Sequence, residues 1–316
     1  MNKDSKIYIA GHLGLIGSAF VRMFSQLGYD NLLLKTHQEL DLTDMHSVIN
    51  FFATEKPEFV VLAAGKVGGI MDNKKFPADL IHANIAIQTN VMFASHHSNV
   101  SKLLFFGSSC MYPRECQTSM AEEMLFTGLP EPTSMAYAVS KMAGLQLCLA
   151  YNQQYGYQKF IPVIPNSVFG PHDNFHPESA HVLSALIRRF DRAKAMNTDN
   201  VSLWGSGTPY REFIYADDIA RAGLILMRSD LQSLPLPINI GSGVQISIKQ
   251  LAENIARIVG YSGNIFWDIS KPDGAPKKLL DSSRMQQFGW RPQVSFEEGL
   301  RSTYAWYLKN TPSIAY

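Results

Sequence analysis

The stretch YAVSK, residues 137–141, sets Tyr137 four residues ahead of Lys141. On a helix that spacing puts both side chains on one face, a turn apart. A phenol near an ammonium ionises more readily, so the pair can relay a proton at a carbonyl or carbinol oxygen. The pattern alone also fits an amphipathic helix with a surface lysine. A second constellation lifts it above chance. In GHLGLIGSAF, residues 11–20, Gly11, Gly14 and Gly17 follow the apolar run KIYIA at intervals of three. A strand that turns tightly into a helix there needs residues without Cβ, and the unpaired N–H groups of the helix start can receive a pyrophosphate. A plain structural turn is the competing reading, because the spacing is not G-x-G-x-x-G. The candidate cofactor contacts on this loop are Gly11, Gly14, Leu15, Ile16 and Gly17, with Ala63 and Ala64 closing the third apolar run. A third member comes from FFGSSCMYP, where Ser108 and Ser109 end a strand and can donate to a substrate oxygen. Next to them, Cys110 can move a proton beside a ketone, or be an ordinary buried cysteine.

The identity of the dinucleotide is read at the end of the second apolar run, LLLKTHQ. NAD enzymes present an acid there for the ribose hydroxyls. Here Lys35 and His37 stand instead, which suits a 2′-phosphate and hence NADP. Asp41, followed by Leu42, is placed to meet the adenine. On spacing alone, Lys35 and His37 are equally compatible with a solvated loop.

These residues need a scaffold that gathers strand ends. The first half of the chain alternates short apolar runs (6–10, 31–34, 58–64, 101–109 and 160–164) with helical patterns (18–28, 45–55 and 135–156). Strands that are apolar throughout predict a parallel sheet covered on both faces. The expected fold class is α/β, a Rossmann-like doubly wound sheet with ligands beyond the strand C-termini. After about residue 166 the pattern loosens. Helices are expected over 182–195, 248–258 and 295–309, with a strand at VSLW and a loop at 270–281. The expected division is a cofactor domain over 1–165 to which 213–240 returns, and a smaller α/β substrate lobe from 166–212 and 241–316.

Composition narrows the classes of function. The 316 residues are 46% hydrophobic and 17% charged, with a formal net charge of +1. No bulk field would draw the chain to nucleic acid or a membrane surface. The three cysteines are not a disulfide framework. With no signal-peptide pattern and no apolar span of membrane length, a cytoplasmic protein is expected. No metal site is expected.

The glycine loop, the Ser108–Tyr137–Lys141 set and several longer stretches resemble the extended short-chain dehydrogenase/reductase family, in its branch acting on nucleotide sugars. The stretches are AGKVGGI (64–70), GSSCMYP (107–113), EPTSMAYAVSK (131–141), GPHDNFHP (170–177), HVLSALIRRF (181–190), LWGSGTPYREF (203–213) and KPDGAPKKLLD (271–281). The resemblance implies a GDP-linked 4-keto-6-deoxysugar as substrate and NADPH as cofactor, with NADH as an alternative. It implies that Ser108, Tyr137 and Lys141 serve reduction at C4, and that Cys110 and His181 exchange protons at C3 and C5. It further implies that Ser109, Ser167, Arg189, Trp204, Arg211 and Lys278 contact the substrate, and that helices over 79–97 and 135–156 form a homodimer. Two positions depart from the family pattern in ways that bear on the cofactor. Leu13 and His37 stand where arginines grip the 2′-phosphate, so weaker discrimination between NADPH and NADH is expected. At a third, Ser167 replaces a substrate-contacting asparagine, which leaves open a 3,6-dideoxyhexose or heptose substrate. A simple 4-ketoreductase and a catalytically silent NADP-binding protein are the competing readings.

Overall fold

The computed structural model describes residues 1–310 apart from 117, 232–234, 272 and 274–276. Part of the loop expected over 270–281 therefore lies outside the described residues. The chain runs β1 (Ile7–Ala10), α1 (Leu15–Gln26), β2 (Leu32–Leu33), α2 (Met45–Glu55), β3 (Phe59–Leu62), α3 (Ile70–Lys75), α4 (Pro77–His97), β4 (Lys102–Phe106), α5 (Met135–Tyr155) and β5 (Phe160–Pro165). It continues with β6 (Ser167–Phe169), α6 (Val182–Ala195), β7 (Asn200–Trp204), β8 (Tyr210–Tyr215), α7 (Ala216–Arg228), β9 (Ile238–Ile240) and β10 (Gln245–Ser247). The last elements are α8 (Ile248–Val259), β11 (Asn264–Asp268), β12 (Lys277–Lys278), α9 (Ser283–Gln286) and α10 (Phe296–Asn310).

Six parallel strands form the main sheet in the order β2-β1-β3-β4-β5-β9. β1, β3 and β5 are buried at every residue, which is why the sequence shows no alternation there. One face is covered by α1 and α7 around Phe20, Phe24, Ile219 and Trp290. The other is covered by α2, α4 and α5 around Phe52, Met92, Leu145 and Cys148. The strand order reverses between β1 and β3, and a crevice opens there beyond the strand C-termini. A third apolar cluster, with Leu186, Phe190, Leu251, Ile255 and Leu300, holds α6, α8 and α10 against β7 and β8. In this part β8 pairs with β10, β12 and β6, and β7 with β11. Segment 213–240 divides. The end of β8 stays in this second sheet, α7 packs on α1, and β9 completes the main sheet beside β5. Helix α1 starts at Leu15, three residues before the expected start, because Gly14 is its N-cap.

Candidate active site

The crevice between β1 and β3 is built by close backbone approach. Gly11 has φ +82°, and a Cβ on it would stand 2.7 Å from the Ala64 nitrogen. A Cβ on Gly17 would stand 2.1 Å from the Gly11 carbonyl oxygen, so only glycine lets α1 begin directly against the loop. Gly14 differs. The nearest atom to a Cβ there is the Gly11 oxygen at 3.5 Å, and no side chain caps the helix. Leu15, Ile16 and Gly17 are thus the first helical residues, whose N–H groups find no partner within a helix start. A bare, uncapped helix N-terminus at the switch of strand order fits the pyrophosphate of a dinucleotide. Ala63 flanks it, donating its N–H to the Ala10 carbonyl at 3.0 Å.

The loop after β2 sets the other cofactor candidates beside acidic side chains. Lys35 pairs with Glu39 at 4.0 Å, and Glu39 also accepts from the Thr36 backbone and hydroxyl at 2.8 and 2.7 Å. Those bonds hold Glu39 below the usual carboxylate range. His37 is largely exposed, 3.8 Å from Asp41, whose carboxylate accepts from the Thr43 hydroxyl and backbone. Leu42 is buried in the core, and its carbonyl accepts from Asn90 at 3.0 Å. Leu13 stands 62% exposed at the rim of the crevice, so no cation reaches out from that position.

Ser108, Cys110 and Tyr137 meet at the C-terminus of β4. Ser108 caps a single helical turn, Ser109–Met111, accepting from the Cys110 N–H at 3.2 Å. Helix α5 brings Tyr137 against both. The Ser108 hydroxyl hydrogen-bonds Tyr137, and Cys110 lies near enough for its thiolate to oppose a phenolate. Burial first, and Cys110 second, push the phenol well above its ordinary value, while the Ser108 bond pulls it back. Lys141 is buried and donates to the Phe106 carbonyl at 2.9 Å, with its ammonium 5.9 Å from the Tyr137 ring centre. Burial pushes it down to about 8. The structure thus qualifies the idea that the lysine eases ionisation of the phenol. Tyr137 is held as a protonated donor, and the Lys141 charge is spent on a backbone carbonyl.

The loop after β3 ties the site to the second sheet. A Cβ on Gly65 would lie 3.6 Å from the Lys141 ammonium, and the Gly69 N–H donates to the Ser179 carbonyl at 3.1 Å. Two residues on, exposed His181 caps α6. Asp173 faces it electrostatically and accepts from Ser184 and the Asn174 N–H. Ser109 is buried. Ser167 is half-buried at the start of β6, and Trp204 is 69% exposed. Of the arginine pair, Arg188 bonds the Phe175 carbonyl at 3.1 Å and Arg189 is exposed. Strand register sets Lys278 directly beside Arg211, so the two share a face. Burial lowers Arg211, against the pull of Asp273.

Three supporting residues escaped the sequence reading. Asn84 bridges the Lys66 N–H and carbonyl at 3.0 and 2.8 Å, shaping the loop beside Lys141. Gln88 donates to the Ser140 carbonyl at 2.6 Å, locking α5 at the turn between Tyr137 and Lys141. Asn73 donates to the Gly68 and Gly69 carbonyls, both at 3.0 Å. The available signal was polar Asn84 and Gln88 four apart on one face of an otherwise core-facing helix.

This fold and site define a class of dinucleotide-dependent α/β enzymes. Residues 7–241 match the model of the NAD dependent epimerase/dehydratase family, to which the chain belongs. Among its relatives, a putative GDP-L-fucose synthase 2 from Arabidopsis thaliana is 50% identical over 98% of this chain and 94% of its own length. The GDP-L-fucose synthase of Escherichia coli K12 is 47% identical, covering 96% of this chain and 97% of its own. A GDP-mannoheptose C4 reductase from Campylobacter jejuni, solved with NADP bound, superposes with a TM-score of 0.89 at 37% identity, covering 98% of this chain and 99% of that one.

Proposed function

We propose that the chain converts GDP-4-keto-6-deoxy-D-mannose to GDP-L-fucose, by epimerisation at C3 and C5 and NADPH-dependent reduction of the C4 ketone. The observation that carries this reading is Cys110 beside Ser108 and the Tyr137 hydroxyl at one strand end. A ketoreductase has work for the two hydroxyls, but none for the thiol. The C4 ketone makes the hydrogens on C3 and C5 acidic, so an enediolate can form on either side. Inversion needs a base on one face and an acid on the other. Cys110 and His181 supply a thiol and an imidazole, two groups that can serve as acid and base. Ser108 donates to the ketone oxygen and shares the charge that develops there. Tyr137, kept protonated by its surroundings, delivers the proton to that oxygen. NADPH, when bound in the glycine cradle, supplies the hydride for C4.

The diphosphate is assigned to Arg211 and Lys278, and the rest of the substrate to Ser109, Ser167, Arg189 and Trp204. Arg211 and Lys278 share a face, and a guanidinium fork suits phosphate oxygens. The protein works as a homodimer through α4 and α5, whose outer surfaces leave Ile85 and Val139 exposed. It acts in the cytoplasm, where its three free cysteines stay reduced. A second reading, reduction of a related GDP-heptose without epimerisation, is favoured by Ser167 and by the heptose reductase likeness.

Turnover of GDP-4-keto-6-deoxymannose in heavy water with NADPH tests the reading. The expected product is GDP-L-fucose deuterated at C3 and C5, by NMR. In Tyr137→Phe, reduction should fall about 10²- to 10⁴-fold while exchange at C3 and C5 continues. Reduction without deuterium selects the plain ketoreductase, and no turnover of either substrate class leaves a silent binding protein.

A further inference from the structure

The carboxylate of Glu212 is wholly buried, and no lysine or arginine among the described residues forms an ion pair with it. A buried charge without a counter-ion is costly unless donors surround it. Here they come from three separate segments. Oε2 accepts from the Asn166 side chain at 2.6 Å and from the Leu280 N–H at 3.0 Å. Oε1 accepts from the Gly243 N–H at 2.7 Å. Gly241 presses in as well, since a Cβ on it would meet Oε1 at 2.5 Å. Burial raises Glu212 while these bonds lower it, so each bond favours the ionised form.

Each of these donors sits next to a group assigned to the substrate. Asn166 uses its other end to accept from the Ser167 N–H at 3.0 Å, which fixes the start of β6. Leu280 lies two residues beyond Lys278, on the strap whose β12 pairs with β8. Glu212 itself follows Arg211 along β8, and neighbours on a strand face opposite sides. Glu212 is thus turned away from the face that Arg211 shares with Lys278, and acts on it from beneath. Asn166 and Gly243 also follow the ends of β5 and β9, so the same carboxylate joins the main sheet to the second one.

We propose that Glu212 is a positioning residue of the diphosphate subsite, holding Ser167, Arg211 and Lys278 in one arrangement across the two sheets. The proposal rests on the functional reading above. Glu212→Gln keeps the shape, but one end of its amide turns a donor toward donors. GDP binding by calorimetry, NADPH binding by fluorescence, and steady-state kinetics are measured on it. The expected result is a Kd for GDP and a KM for the GDP-sugar raised about tenfold or more. The NADPH Kd and the saturated kcat should stay within about twofold to threefold of the wild type. An unchanged GDP affinity overturns the proposal, as does equal weakening of GDP and NADPH, which marks a general staple. Asn166→Ala keeps the carboxylate and removes one donor. It should weaken GDP by about threefold with NADPH unmoved, and it decides the matter if Glu212→Gln does not fold. A wild-type protein that binds no GDP overturns the functional reading and this proposal together. Equal GDP affinity in all three proteins overturns the proposal alone.

Discussion

At the residue scale, Tyr137 and Lys141 are both pressed toward their neutral forms, and this has a pH signature. The phenol, raised by burial, stays protonated through the physiological range. Lys141 sits at about 8 against an ordinary 10.5. Between those values the unfolded chain binds the proton that the folded chain has released, so stability rises with pH across that window. Activity that needs the ammonium runs the other way, and kcat/KM should fall as pH rises through about 8. Lys141→Met should remove its share of the stability rise in denaturant titrations from pH 7 to 10. At the cofactor rim, Leu13 offers no charge, His37 lies 3.8 Å from Asp41, and Lys35 is paired with Glu39. The Kd values for NADPH and NADH, by fluorescence titration, should therefore differ by no more than about tenfold. A preference far larger than that would show a phosphate grip built from other residues. The types and spacing of Ser108, Cys110, Tyr137 and Lys141 were legible in the sequence. Where Lys141 spends its charge was not, because the Phe106 carbonyl that takes it belongs to another element.

At the element scale, the order of strands and helices in the first half was legible from apolar runs and glycine stops. Helices α2, α5 and α6 run as the sequence reading has them, to within a residue. The short strands β6, β10 and β12 were not. Two or three residues carry no periodicity, and each exists only because β8 offers it a partner. The buried polar residues of α4 also hid, since Asn84, Gln88 and Asn90 break the apolar stripe that marks a helix. The β1–α1 turn is the least tolerant joint. Gly17→Ala drives a Cβ into the Gly11 carbonyl, and backbone cannot swing aside as a side chain does. The expected loss is about 1–3 kcal/mol or more in denaturant unfolding, with NADPH binding lost ahead of GDP binding. Gly14→Ala meets only ordinary contact and should fold normally, so the pair separates packing from ligand access.

At the scale of the whole molecule, the two sheets are interleaved along the chain rather than laid end to end. The sequence predicts a late segment in the main sheet without singling out the strand. β9 is that strand, and the choice is made by pairing with β5, a partner far away in sequence that no local pattern announces. The Tyr112 hydroxyl, just past Cys110, donates at 2.7 Å to Asn239 on β9, and Asn239 in turn donates to the carbonyls of Met120 and Asp281. The end of β4 that carries Cys110 is thus braced by the last strand of its own sheet and by the strap that carries Lys278.

That late strand also governs how the molecule comes into being. A chain leaving the ribosome exposes the glycine cradle and five of the six parallel strands well before residues 238–240 emerge. Until then β5 is an open edge, with its backbone groups free to pair with another nascent chain. Everything between β5 and β9, including α6 and its His181 cap, must be made and set aside before that edge is closed. The edge of β5 is therefore the place where incomplete chains can pair with one another, and its closure waits on a strand of three residues.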